Sequence, residues 1–287
     1  MIGGVSMFAT DFQYDGQYLS DYNCTICTTR NTSEITYISA GYQITFNTIS
    51  RNRGKQRSWI GSQYDSCIQT TFDIYKDTGN LNRYGGTYCN VEYFTIDEVR
   101  DLMVWLNRED FHKFRFVMND GSEVFYYNAS FNVEKIEKNN NVIGLRLTMF
   151  TDKPYAYGSD VQTKIEVTRT QLSKQFNVYS KSDFIGDIIP DVKITCAASG
   201  DISIANLTNG STMTIKGCTK NEVITINGDR MTLTSSTGRN LYNSFNYEFL
   251  KLTNSFTNGS NNFRNVITIS LPSTVEITYT PIVKYGA

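Results

Sequence analysis

The chain has 287 residues, enough for about two domains of roughly 150 residues, each able to bury its own core. Its 27 basic residues are matched by 28 acidic ones, so it lacks the basic excess that phosphate contacts favour, which argues against nucleic acid as a main partner. At 40% hydrophobic, 13% aromatic and 19% charged it is too apolar for a disordered chain, and a single histidine, His112, argues against most His-dependent catalysis and multi-His metal sites.

No stretch is apolar for long enough to span a bilayer. The opening Met1-Ile2-Gly3-Gly4-Val5-Ser6 has neither the basic segment nor the apolar core of a secretory signal. The reading is therefore a chain made in the cytoplasm without membrane insertion, its six cysteines reduced and mostly buried. Triplets such as Asn128-Ala129-Ser130 read as products of an Asn- and Thr-rich composition rather than glycosylation sites.

Short blocks of β-branched and aromatic residues alternating with polar ones, bounded by Gly, Asn and Asp, predict strands. In the first half these are Glu34–Ser39, Tyr42–Ser50, Cys67–Tyr75, Lys113–Met118, Glu123–Tyr127 and Val142–Phe150. Between the third and fourth lies the one clear helix. Thr95-Ile96-Asp97-Glu98 has the form of a reciprocal N-terminal cap, Asp97, Glu98 and Asp101 suit the positive end of the helix dipole, and Ile96, Val99, Met103 and Leu106 make an apolar stripe that Leu102 and Trp105 widen. The helix is expected to end near Arg108. The Pro154 to Gly158 stretch breaks regularity, and residues 156–190 are polar and weakly patterned. Strands then resume at Asp191–Cys196, Ile202–Asn206, Thr212–Lys216, Glu222–Ile226, Met231–Thr234, Val266–Ser270 and Val275–Thr280. Asn119-Asp120-Gly121, Asn209-Gly210 and Asn227-Gly228 read as hairpin turns of positive φ.

Candidate chemistry is sparse. Cys24-Thr25-Ile26-Cys27 has the spacing of a zinc knuckle or redox pair, but Cys67 and Cys89 stand at the wrong spacing to complete a site, and in an alternating strand i and i+3 point to opposite faces. His112 has no nucleophile elbow or catalytic-cysteine motif to serve, so it reads as a structural or surface residue. Glu134 with Glu137, and Glu109 with Asp110, could imitate a glycosidase dyad but lie in polar, solvated segments. Phosphate-binding glycine loops are absent. Residues 51–57 hold four cations, Arg51, Arg53, Lys55 and Arg57, without an acid. They are either a solvated hairpin tip or an arm that docks on an acidic neighbour with Trp59 as an anchor. The residues alone thus give a two-domain, mostly β binding or assembly module with no catalytic, cofactor or metal residues.

An ordered series of motifs carries a resemblance over nearly the whole chain. It runs from Phe12-Gln13-Tyr14-Asp15-Gly16 through the basic hairpin and Cys67-Ile68-Gln69-Thr70-Thr71-Phe72-Asp73-Ile74 to the helix end Val104-Trp105-Leu106-Asn107-Arg108. Phe125-Tyr126-Tyr127-Asn128-Ala129, Gly144-Leu145-Arg146-Leu147-Thr148 and Asp152-Lys153-Pro154-Tyr155-Ala156-Tyr157 follow. In the second half Ile189-Pro190-Asp191-Val192, Glu222-Val223-Ile224-Thr225-Ile226-Asn227 and Tyr279-Thr280-Pro281-Ile282-Val283-Lys284 continue it. The chain resembles the distal tail protein (Dit) family of tailed bacteriophages and their prophage relatives. The resemblance implies a mainly β protein. Residues 1–155 would be an N-terminal β-sandwich with one helix and a projecting hairpin, the belt. Residues 156–190 would be a linker and the start of the second domain, and 191–287 a galectin-like β-sandwich.

The implied role is a structural hub of the tail tip or baseplate, without enzymatic activity. Six copies would close a ring that joins the tail tube protein to the tail-associated lysin in the virion, after assembly in the host cytoplasm. Receptor-binding proteins and the tape measure protein are further partners the resemblance allows. The candidate ring-forming arm is Ile35–Ile60, with Tyr37, Tyr42, Phe46 and Trp59 as apolar anchors. Two other readings compete. A carbohydrate-binding module would use Tyr242, Phe245 and Tyr247 of the second half on wall glycan, and a wall hydrolase would need a catalytic set that the residues do not supply.

Overall fold

In the computed structural model, residues 9, 11–27, 44–50, 57–64, 67–77, 93–117, 125–172, 174–257 and 260–284 are described. The chain divides into two compact units, 1–157 with 284–287, and 158–283. The strand expected at Glu34–Ser39, the first two residues of the one expected at Glu123–Tyr127, and the turn at Asn119-Asp120-Gly121 lie outside the described residues.

The first unit is built on strands β1 (Asp11–Tyr14), β2 (Gln17–Tyr18), β3 (Cys24–Cys27), β4 (Ile44–Ser50), β5 (Arg57–Tyr64), β6 (Gln69–Lys76), β7 (His112–Val117), β8 (Tyr127–Lys138) and β9 (Asn141–Thr151). Seven of them form one sheet in the order β2-β1-β7-β8-β9-β6-β3, with antiparallel neighbours. A two-residue strand, β10 (Ala156–Tyr157), ends the unit, and Tyr157 exchanges two 2.8 Å backbone hydrogen bonds with Tyr126. Two hairpins in the sheet close on side chains that tolerate positive φ. Asp15 (φ 50°) and Gly16 (φ 84°) join β1 to β2, and Asn139 (φ 53°) and Asn140 (φ 63°) join β8 to β9. Both turns match the right-handed strand twist.

Helix α1 (Ile96–Leu106) opens on the reciprocal cap read from the sequence. The Glu98 backbone N–H donates to Thr95 Oγ1 (3.2 Å), and the Thr95 N–H donates to Glu98 Oε2 (2.7 Å). The helix stops two residues short of the expected Arg108, because the Arg108 side chain turns back and its Nε donates to the Trp105 carbonyl (2.9 Å). Its buried face is Val99, Leu102, Trp105 and Leu106. Ile96, placed in the stripe by periodicity, is 88% exposed, since it sits in the first turn beyond the rim of the sheet contact. Trp105 stacks on Phe12 (5.6 Å) and Tyr22 (4.6 Å) and donates its Nε1 proton to the Tyr14 carbonyl (3.2 Å). Phe72, Phe114 and Phe131 in turn pack around Phe12, an aromatic core whose members each bury about 1.5–3 kcal/mol of transfer free energy.

The second unit holds β11 (Val161–Val167), β12 (Phe176–Tyr179), β13 (Gly186–Ile188), β14 (Asp191–Cys196), β15 (Gly200–Asn206), β16 (Ser211–Cys218), β17 (Val223–Asn227) and β18 (Thr232–Ser235). It continues with β19 (Leu252–Thr257), β20 (Ser260–Asn262), β21 (Arg264–Ile269) and β22 (Ser273–Tyr279). A five-stranded sheet, β11-β22-β14-β17-β18, and a four-stranded sheet, β12-β21-β15-β16, bury one shared apolar core. Ile194, Ile224, Val275 and Ile277 come from the first sheet, and Ile204, Ile215 and Ile267 from the second. This is a two-layer β-sandwich. A third sheet runs β13-β19-β20.

The weakly patterned 156–190 stretch contains three of these strands. β11 alternates faithfully, with Ile165 and Val167 inward, but its outer face carries Lys164 and Glu166, paired at 2.7 Å, and the polar count masks the period. Asn227-Gly228 does end a strand, but the glycine there has another cause than φ. A Cβ at Gly228 would stand 2.2 Å from the Ile189 carbonyl oxygen, while the positive φ of that turn falls on Met231 (51°).

Candidate assembly interface

Strands β4 and β5 form a two-stranded sheet of their own, hydrogen-bonded to no other strand among the described residues. The register pairs Ile44 with Tyr64, Phe46 with Ser62, Asn47 with Gly61, Thr48 with Trp59 and Ser50 with Arg57. Between Asn47 and Thr48 it shifts by one, so Ile60 is an extra residue on β5. Gly61, at φ 146°, supplies the backbone conformation that this bulge demands and that other residues avoid. By alternation and register Ile44, Phe46 and Trp59 share one face of the ribbon, and Ile49 lies on the other.

These side chains are bare. Phe46 is 65% exposed, Trp59 64%, Ile60 59%, Ile49 52% and Ile44 46%. Single exposed apolar residues are ordinary, whereas five on one fifteen-residue ribbon are a patch of the kind that marks an interaction surface. An isolated two-stranded ribbon is also marginal in water. Of the eight arm residues read from the sequence, Phe46 and Trp59 are both here, on the same face. Arg57 begins β5, its side chain outside the described residues, as are Tyr37, Tyr42, Arg51, Arg53 and Lys55 entirely. Ile44, Ile49 and Ile60 were missed. The available signals were the adjacent apolar pair Trp59-Ile60 and the isolated glycine after it, which together announce a bulge.

The other candidates lie in the following surroundings. His112 is held between carboxylates, with Nε2 3.0 Å from Asp110 Oδ1 and Nδ1 3.5 Å from Asp15 Oδ1, while its ring packs edge-on against Tyr14. Arg108 completes the cluster with a 2.6 Å ion pair to Asp15, and that bond holds the Asp15 carboxyl below the usual range. The cluster ties the helix exit to the β1–β2 turn. Burial pushes the Tyr14 hydroxyl up to about 12. Cys24 is buried on β3, its thiol likewise pushed up to about 12 by burial, and Cys67 is exposed, its thiol 3.5 Å from the Asp152 carbonyl. No group of three or more potential metal ligands converges among the described residues. Glu134, Glu137, Glu109 and Asp110 are all exposed. Of the three aromatics considered for glycan, Tyr247 (67%) and Tyr242 (39%) are exposed, but Phe245 is core, packed on Phe249 at 5.1 Å. No helix among the described residues is long and apolar enough to cross a membrane.

Fold and ribbon together define a two-unit β protein with an exposed apolar two-stranded ribbon. The chain belongs to a phage tail protein family: the model described as phage tail protein N-terminal domain matches residues 7–153, and that described as phage tail C-terminal domain matches residues 155–279. It is thus a structural protein of the phage tail. Among solved structures it is similar to SPP1 Dit (gp 19.1), described as a paradigm of the hub adsorption apparatus in phages that infect Gram-positive bacteria. The two share 12% identity at a TM-score of 0.63, covering 94% of this chain and 98% of that one. The likeness is one of fold, and it is the fold that the sequence resemblance anticipated. No curated protein sequence matches the chain.

Proposed function

We propose that this protein is the hub of a phage tail tip, six copies closing a ring in which the β4–β5 ribbon of each copy docks on the next. The observation that carries the reading is the ribbon itself, with Ile44, Phe46, Ile49, Trp59 and Ile60 exposed and two strands hydrogen-bonded only to each other among the described residues. A ring needs one patch to meet a different patch on the neighbour, and a ribbon with free edges meets that need by adding strands to a neighbouring sheet. Burying one large apolar side chain contributes about 1.5–3 kcal/mol. Association costs an estimated 4–15 kcal/mol in lost freedom. The five ribbon residues offset that cost only if most are covered together, which favours a deep and permanent contact over a transient one.

In this reading the ring joins the tail tube to the tail-associated lysin, with receptor-binding proteins at its rim. The four cations of residues 51–57, which follow β4 and lead into β5 in the sequence, favour an acidic landing site. Light scattering and negative-stain imaging test the proposal, with and without the tail tube protein. Six-fold mass and ring particles in either mixture are the expected result, and a monomer in both overturns it. The competing glycan-binding reading rests on Tyr242 and Tyr247, and binding of wall glycan by the full chain would favour it.

A further inference from the structure

Among the described residues of the first unit, large apolar side chains are exposed in two places. Five lie on the ribbon, and the other four, Tyr93, Ile96, Val104 and Phe111, lie on or beside helix α1. The helix turns Val99, Leu102, Trp105 and Leu106 inward, so Ile96, Arg100 and Val104, stepping by four, run along its outer side, with Val104 71% exposed. Asp97 and Asp101 form the neighbouring row. Both are exposed, and neither takes part in an ion pair among the described residues. The two places carry opposite charge. Residues 44–60 hold four cations and no acid, whereas residues 93–111 hold five acids and two cations. Within the second set Glu98 is paired with Lys76, Asp110 with His112 and Arg108 with Asp15. That leaves Asp97, Asp101 and Glu109 exposed, with Arg100 as the opposing cation of the segment.

We propose that the outer face of helix α1 is the landing site for the ribbon of a second copy of this chain, Ile96 and Val104 covering ribbon apolar side chains while Asp97 and Asp101 meet the cations of residues 51–57. The inference rests on the hub reading and supplies the second of the two unlike patches that a closed ring requires. A helix laid on a strand pair is a regular two-layer packing, and packing against a helix is one of the ways a two-stranded ribbon gains stability. Asp101 and Val104, three residues apart, are neighbours on the helix surface, so one contact brings the ribbon an acidic and an apolar anchor together. Opposite charge on the two patches steers their encounter. Two ribbons, or two helix faces, would meet with like charge, which disfavours a symmetric pair and favours ribbon on helix.

The test mixes two defective full-length chains and reads mass by light scattering, in the condition, with or without the tail tube protein, under which the native chain assembles. The helix variant is Asp101→Lys with Val104→Lys, both at exposed positions where lysine suits a helix. Its thermal midpoint is expected to stay within a few degrees of the native monomer. Ile96→Lys, at the most exposed of these positions, is a second helix variant that repeats the test independently. The ribbon variant is Phe46→Ser with Trp59→Ser. Each variant alone is expected to lose the six-fold mass. Mixed, they are expected to form a pair with one chain of each, because the intact ribbon of the helix variant meets the intact helix face of the ribbon variant and no further contact can follow. Helix variants that assemble like the native chain, while the ribbon variant does not, overturn this landing site, leave the face to another tail protein and keep the hub reading. A mixture that stays monomeric although both partners keep their midpoints overturns it too. A native chain that is monomeric throughout removes the landing site and the hub reading together.

Discussion

At the scale of single residues, the second unit depends on close approaches that admit no addition. Gly228 is the clearest case: its own N–H donates to Asp191 Oδ1 (2.7 Å) while the Ile189 and Pro190 carbonyl oxygens stand 2.2 and 2.8 Å from where a Cβ would be. Both obstacles are backbone, so Gly228→Ala is expected to cost about 1–3 kcal/mol or more by overpacking, read from the urea midpoint. Glu222 makes a second prediction. Burial raises its pKa, but the Arg239 guanidinium (2.7 Å), the Ser235 hydroxyl (2.6 Å) and the Thr219 N–H (2.8 Å) outweigh burial and leave the folded value low. A carboxyl with a lowered folded pKa contributes stability that is fully present above the unfolded value, about 4.3. That contribution is lost as pH falls through the folded value. Urea midpoints measured from pH 7 to 3 should therefore fall more steeply in the native chain than in Glu222→Gln. Parallel curves would remove Glu222 from the account of acid sensitivity.

At the scale of elements, the helix depends on its first turn. Thr95→Ala removes the Oγ1 acceptor for the Glu98 N–H and loosens the Glu98 carboxylate, which also pairs with Lys76 at 2.8 Å. The expected loss is about 1 kcal/mol, visible in denaturant unfolding. A Thr95→Ser chain should keep most of it. This helix was legible in the sequence because capping and the Val99 to Leu106 spacing are local. So were the inward rows of β9 and β14, where apolar residues alternate without interruption. The outer half of β8 was not legible because charged and polar residues crowd it, and β11 was hidden by its charged outer face although Ile165 and Val167 keep the inward period. The β1–β2 and β8–β9 turns were available in Asp15-Gly16 and Asn139-Asn140, but the flanking strand in one case and the polar run in the other hid them. Of the ribbon, the sequence disclosed Phe46 and Trp59. It could not disclose that, among the described residues, the two strands hydrogen-bond to no other strand, which is a statement about distant chain.

At the scale of the whole molecule, the test is one of assembly. Phe46→Ser with Trp59→Ser removes two exposed aromatics of the ribbon, neither of which belongs to the aromatic core around Trp105 or to the core of the second unit. The double variant is expected to keep the thermal midpoint of the native monomer within a few degrees and to lose the high-mass species in light scattering. An unchanged mass distribution would remove the ribbon from the contact.

The ribbon's two sides carry one further implication. A strand pair greasy on one side can lie flat on a wall. Here Phe46 and Trp59 look one way and Ile49 the other, so a single wall would leave oil facing water whichever way the pair turned. Its fitting receptacle is a slot with two lips, closing over it like a latch. A subunit seated that way would come free only by sliding out lengthwise or by the slot prising open.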